Sequence, residues 1–218
     1  MRVLVTGFEP FNGEPYNPSE GVLALVQNLV EGPDTTITTA VLPVDAMRVA
    51  RDLPQVLRSV QPEVYLALGL APGRTTLSIE RVGLNVLDFP MPDNGGNQPI
   101  DQPVMVGGPL AYATTLPIKA IVQACRALTL PLYVSNSAGT FLCNAALYLG
   151  LHWAHTDGLG GKVPRVGFIH IPYAMQYVPK VSNNPALPLD FMARVIAEAI
   201  TVTVKTPTDI VSSAGSMT

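Results

Sequence analysis

With 218 residues, the chain is long enough to bury one substantial hydrophobic core without splitting into separate units. Hydrophobic residues make up 48% and charged ones only 13%, against roughly a quarter charged in an ordinary soluble domain, so part of the surface is expected to be apolar and to meet another subunit. A formal charge of −3 with no Lys/Arg cluster argues against a nucleic-acid partner, and no apolar run reaches the roughly 18 residues of a membrane span.

The chain enters a strand at once, through Met1-Arg2-Val3-Leu4-Val5, rather than a secretory apolar segment, and a cytoplasmic location is expected. Apolar runs suited to buried strands follow at residues 3–6, 37–42, 64–70, 132–135 and 166–171. Helical patterns alternate with them at 19–30, 45–60 with Pro54 as a kink, 116–128, 140–154 and 189–204. That order predicts an α/β fold, a three-layer α/β/α arrangement around a mostly parallel twisted sheet, with residues 1–205 as a single domain and 206–218 as a flexible tail. Ligands of such sheets bind beyond the carboxyl ends of the strands.

The loop Gly7–Pro18 follows the first strand and carries Phe8, Phe11 and Tyr16, aromatics that either cover a neighbouring element or line a pocket. It matches neither nucleotide-binding glycine pattern. The stretch 88–101 is dense in turn formers and too long for a simple connection, which suits a lid or a subunit contact. Two cysteines do not make a disulfide framework, so a reducing compartment is expected. One of them, Cys143, follows Ser137-Ala138-Gly139-Thr140-Phe141-Leu142 just inside a helix start, where the dipole and first-turn N–H groups should ease its ionisation.

A catalytic thiol needs a base. His152 and His155 lie nine and twelve residues along the same helix, roughly 13 to 18 Å away, and cannot reach it. They have no nearby carboxylate or cysteine to complete a metal site, and no metal or cofactor is expected. His170 ends the apolar strand Val166-Gly167-Phe168-Ile169 and precedes Ile171-Pro172-Tyr173, at the carboxyl edge of the sheet where the Cys143 helix also begins; it either pairs with the thiol or bonds a carbonyl. Glu80 could orient it, or could pair with Arg81 or another surface base. A serine hydrolase built on Ser137 is a weaker alternative because G-x-S-x-G is absent.

Three blocks, Gly7-Phe8-Glu9-Pro10-Phe11 through Asn17-Pro18, Glu80-Arg81 with Pro92-Asp93-Asn94 and Gly96-Asn97-Gln98-Pro99, and Ser137 through Asn144 with His170-Ile171-Pro172-Tyr173, resemble pyroglutamyl peptidase I, or pyrrolidone-carboxylate peptidase, over nearly the whole chain. The resemblance implies a cytosolic cysteine peptidase that removes N-terminal pyroglutamate from peptides, commonly as a homotetramer. It implies Cys143 as nucleophile, His170 as base and Glu80 as orienting acid, with substrate contacts at Phe8, Phe11, Asn17 and Phe141. An uncharged lactam suits a flat apolar slot made by Phe8, Phe11 and Phe141, with Asn17 or backbone near Leu70 reading its polar groups. Pro90 stands where the family often has Arg, and Leu70 where Gln is frequent. A non-catalytic binding protein for small ligands on the same scaffold is the alternative.

Overall fold

The computed structural model describes residues 1–30, 35–177 and 183–214. Its elements run β1 (Arg2–Phe8), α1 (Pro18–Val26), β2 (Thr36–Leu42), α2 (Ala46–Val60), β3 (Val64–Leu70), β4 (Leu77–Glu80), β5 (Val82–Leu84), β6 (Ala111–Ala113), α3 (Ile118–Ala127), β7 (Leu132–Ser135), α4 (Leu142–Thr156), β8 (Arg165–Ile171), β9 (Tyr173–Ala174), β10 (Ala186–Leu187) and α5 (Leu189–Lys205). Six strands form the central sheet in the order β2-β1-β3-β8-β4-β7. β1, β2, β3 and β8 are parallel; β4 pairs antiparallel with β8 and parallel with β7, so these last two reverse the direction.

Strand alternation sorts the apolar side chains onto two faces. Val3, Val5, Val64, Leu66, Leu68, Leu77, Ile79, Ile169 and Ile171 pack with α1, α3 and α5 on one side. Leu4, Tyr65, Ala67, Val166 and Phe168 pack with α2 and α4 on the other. The three-layer α/β/α architecture is therefore present, around a sheet that is mostly parallel rather than wholly so. On β4 the alternation leaves Ser78 and Glu80 on the side opposite Leu77 and Ile79, facing the α4 layer. The α4 helix is buried along most of its length, so its first turn is held firmly against the sheet.

Local chemistry explains where the helices begin and end. Asn17 caps α1, and Asp45 caps α2 by accepting from Arg48 N at 2.9 Å. Helix α2 presents Val49, Leu53 and Leu57 at four-residue spacing, all fully buried and each contributing about 1.5–3 kcal/mol. It continues unbroken through Pro54 and is capped by Gln61, in the left-handed conformation. Helix α1 stops at Val26, short of the expected residue 30, and residues 31–34 lie outside the described part. Helix α4 starts at Leu142 rather than Thr140, because Phe141 is extended and the Thr140 hydroxyl donates to Asp88 O at 2.7 Å.

Helix α3 has no cap from its own N-terminal residues. Its cap comes from beyond α5: the Asp209 carboxylate accepts from Lys119 N at 3.1 Å and Ala120 N at 2.9 Å, within the segment expected to be a tail. Arg81 also reaches this segment, donating to Ala214 O, and residues 215–218 are outside the described part. Asp209→Ala should cost about 1 kcal/mol through the lost cap, read as a lower urea midpoint with unchanged slope; an unchanged midpoint would mean that the contact does not stabilise α3.

Candidate active site

Antiparallel pairing of β4 with β8 sets the centre of the site. Ser78 and His170 are cross-strand partners, and Glu80 lies two residues farther along on the same face, diagonal to the imidazole and within side-chain reach. Glu80 Oε1 meets His170 Nδ1 at 2.8 Å. Arg74 Nη1 donates to the same oxygen at 2.8 Å and to Ser78 Oγ. Glu80 is wholly excluded from solvent, whereas Arg74 keeps 24% of its side chain exposed. The second carboxylate oxygen, Oε2, is buried without a hydrogen-bond partner.

Cys143 is the second residue of α4, and no side chain caps that helix. Its sulfur sits over Gly69 of β3: a Cβ built on Gly69 would lie 2.7 Å from Sγ and 2.7 Å from the Phe168 ring. Gly69 is the cross-strand partner of His170. The absent side chain thus makes the space in which the thiol rests, one strand away from the histidine.

Burial drives the electrostatics. It raises the Cys143 thiol to about 12, aided by the Glu80 charge and opposed by Arg74 and the residue's own backbone N–H. The residue as a whole is partly buried, and its sulfur lies close against the backbone of Gly69. The expectation of easy ionisation is therefore corrected: desolvation outweighs the helix dipole. Burial also pulls His170 below the ordinary value of 6.5, with Arg74 adding to the effect and Glu80 opposing it. For Glu80, burial acts upward but is outweighed by His170, Ser135 and Arg74, leaving the carboxyl below its ordinary value. An ionised Glu80 can only accept, so Nδ1 carries the proton and Nε2 is the basic nitrogen.

Two cavities meet at the thiol. The smaller, of about 40 Å³, is lined by Phe8, Phe11, Asn17, Val44, Leu70, Phe141, Leu142 and Cys143. The larger, of about 260 Å³, is lined on one side by Cys143, His170, Ala138, Gly139 and Thr140 and on the other by Glu14, Tyr173, Pro90 and Met91. All the proposed substrate contacts border the smaller cavity. Asn17 is already engaged there: Oδ1 accepts from Ser19 N and Oγ, and Nδ2 donates to Glu9 O at 3.0 Å. Clefts of about 560 and 390 Å³ beside α3 are larger, but neither is lined by cysteine or histidine.

The loop 88–101 is tied down rather than loose. Asp93 Oδ2 accepts from Ala46 N at 2.7 Å, its Oδ1 accepts from Gly95 N and Asn97 N, and Asn94 N donates to Val44 O. Phe89 is buried against Phe141, with ring centroids 4.4 Å apart. The loop forms a fixed wall carrying Pro90 and Met91. Ser137 is exposed, and its hydroxyl accepts from Gly139 N. His152 and His155 gather around Tyr112, the first bonded to its hydroxyl at 3.0 Å and the second stacked at 5.0 Å. Among the described residues no group of three His, Cys, Asp or Glu could hold a metal, and no helix is long and apolar enough to cross a membrane.

A profile described as pyroglutamyl peptidase matches residues 1–206. The pyrrolidone-carboxylate peptidase of Clavibacter michiganensis subsp. michiganensis is 42% identical over 215 residues, covering 99% of this chain and 98% of its own. That of Treponema denticola is 39% identical over 216 residues, with 99% of each chain covered. The chain belongs to the pyroglutamyl peptidase family. Among solved structures, the pyrrolidone carboxyl peptidase from Thermococcus litoralis superposes on this family member with a TM-score of 0.89 at 34% identity, over 97% of this chain and 99% of that one. A mutant pyrrolidone carboxyl peptidase from Pyrococcus furiosus gives 0.87 at 37% identity, over 94% and 99% of the two chains.

Two positions of this pyroglutamyl peptidase family member escape a reading based on side-chain chemistry. Gly69 contributes only space. Arg74 is announced by Ala71-Pro72-Gly73-Arg74, a turn with Gly73 at φ +85° and Arg74 N bonded to Ala71 O at 3.3 Å, which turns the guanidinium back toward β4. Gly69→Ala should displace the sulfur and lower kcat about 10- to 100-fold while the protein still folds; full activity in a folded variant would show that the thiol does not depend on this gap.

Proposed function

We propose that the chain is a cysteine peptidase hydrolysing the amide bond after an N-terminal pyroglutamyl residue, through a thioester on Cys143. One observation carries this reading: a thiol at a helix start and an imidazole held by a buried ionised carboxylate border one cavity. The relatives' name, pyrrolidone-carboxylate peptidase, supplies the substrate class. The lactam ring suits the apolar space among Phe8, Phe11, Phe141 and Leu70, where no lining residue is acidic and a charged α-amine would find no counter-charge. The second Nδ2 proton of Asn17, or backbone beside Leu70, reads the lactam's polar groups. The peptide beyond the scissile bond occupies the larger cavity.

The nucleophile starts as a neutral thiol. As its sulfur bonds to the exocyclic carbonyl carbon, the proton passes to His170 Nε2, and the oxygen's developing charge is met by N–H groups of the first turn of α4. Glu80 stabilises the resulting imidazolium through Nδ1. The imidazolium protonates the departing amine as the C–N bond breaks, leaving a thioester. Water then attacks, His170 takes its proton, and the thiol leaves with that proton while free pyroglutamate is released.

Pyroglutamyl, prolyl and glutamyl amides of a fluorescent amine test the reading. Only the pyroglutamyl amide should be cleaved, and Cys143→Ser should lose about 10²-fold or more with its fold intact. A folded wild type that cleaves none of them would favour the binding-protein alternative. Activity should fall on the acid side as His170 protonates, with a midpoint below 6.5 because burial disfavours the imidazolium. Glu80→Gln removes the group that favours the charged ring, so its acid limb should move to lower pH while its maximal rate drops roughly 10- to 10³-fold. A limb moving upward would contradict the pairing.

A further inference from the structure

Neither cavity is lined by lysine or arginine. The nearest structurally engaged cation is Arg74, set behind the histidine at the end of a Pro72-Gly73 turn. Three contacts fix it: its backbone N–H to Ala71 O, and Nη1 to both Ser78 Oγ and Glu80 Oε1. Ser78 and Glu80 are two apart on β4 and so share a face, which lets one guanidinium nitrogen bridge them. Glu80 Oε1 accepts from Arg74 and His170 together, while Oε2 accepts from neither.

We propose that Arg74 is a positioning residue: by donating to Glu80 Oε1 from behind, it keeps that carboxylate ionised and acceptor-only, which holds the proton of His170 on Nδ1 and leaves Nε2 as the base. Without it, a carboxylate fully removed from water and deprived of its one permanent cation would take up a proton at higher pH. A protonated Glu80 would donate to Nδ1 and force the remaining imidazole proton onto Nε2, the wrong tautomer for accepting from a thiol. The groups facing Glu80 are Arg74 from the β3–β4 turn, Ser78 on its own strand, His170 on β8, Ser135 on β7 and Cys143 on α4. Arg74 is the permanent cation among them. Its charge also disfavours the imidazolium, so its removal raises the affinity of both Glu80 and His170 for protons, and the two effects on the acid limb have the same sign.

This inference rests on the peptidase reading for its kinetic test and is independent of that reading in its spectroscopic one. In pyroglutamyl-amide hydrolysis, Arg74→Met should move the acid limb of kcat/KM upward by about one pH unit or more, opposite to Glu80→Gln. Arg74→Lys should keep the limb within half a unit of wild type, and added guanidinium at millimolar concentration should partly restore an Arg74→Ala variant. In ¹⁵N spectra of histidine-labelled protein, His170 should hold the Nδ1–H tautomer near neutral pH in wild type and lose it at higher pH in Arg74→Met than in wild type. An unshifted limb and tautomer in folded Arg74→Met would overturn the proposal; if that variant does not fold, an Arg74→Lys limb displaced as far as that of guanidinium-free Arg74→Ala would do so. An inactive wild type whose tautomer still responds to Arg74 would reject the peptidase reading and leave this inference standing.

Discussion

The site depends on keeping one negative charge where water cannot reach it. Taking a carboxylate fully out of solvent costs several kcal/mol, even after the surroundings relax, and only close partners offset that. Glu80 has two of them on one oxygen, His170 from β8 and Arg74 from the preceding turn, each at 2.8 Å. The reversed direction of β4 makes this possible, since antiparallel pairing sets Ser78 opposite His170 and leaves Glu80 diagonal to the ring. The one departure from a wholly parallel order among these strands, at β4 and β7, therefore coincides with the polar centre.

Much of the scaffold that frames this centre is built from the residues that make the sequence blocks recognisable. Glu9 accepts from Val44 N and Asn94 Nδ2, joining the loop after β1 to the start of α2 and to the 88–101 stretch. Asp93 gathers four donors from Ala46, Gly95 and Asn97. Asn144, next to the thiol-bearing residue, accepts from Leu84 N and donates to Leu84 O and Val86 O, which fastens the first turn of α4 to β5. Such side chains satisfy partly buried groups of the loops, and each one removed would leave a donor or acceptor without that partner. The cavities consequently have walls made of loops that are hydrogen-bonded like core elements.

Legibility in the sequence followed from how local each signal was. Cys143 and His170 stand out because a helix start and a strand end can be read from a few neighbouring residues, and both border the same cavity. The central strands and helices emerge from continuous apolar runs, but β4 does not: Leu77-Ser78-Ile79-Glu80 alternates with period two, the signature of a strand with one polar face, and has no long apolar run. Proximity in sequence points to Arg81 as the partner of Glu80, yet the next residue along an extended chain faces away, and Arg81 bonds Asn136 and Ala214 O instead. Arg74, six residues earlier, returns to Glu80 through the Pro72-Gly73 turn. Nor does helix position alone give the state of the thiol, because burial depends on Gly69 and Phe168, far away in sequence.

That last point bears on how Cys143 would act as the nucleophile proposed above. Burial raises the thiol and lowers the imidazole, and both directions favour the neutral pair in the empty site; on the proposed reading the proton would leave sulfur as the bond to carbon forms. On that reading the helix start would serve less to create a thiolate in the empty site than to stabilise the oxyanion, which appears only once a carbonyl is in place. A substrate filling the cavity would also strengthen the Glu80–imidazolium attraction as the ring becomes charged. A thiol whose ionisation is opposed by burial should react slowly with adventitious electrophiles, because the thiolate is the reactive form. The same burial that opposes ionisation of the resting cysteine would therefore tie its reactivity to a ligand that reaches the first turn of α4.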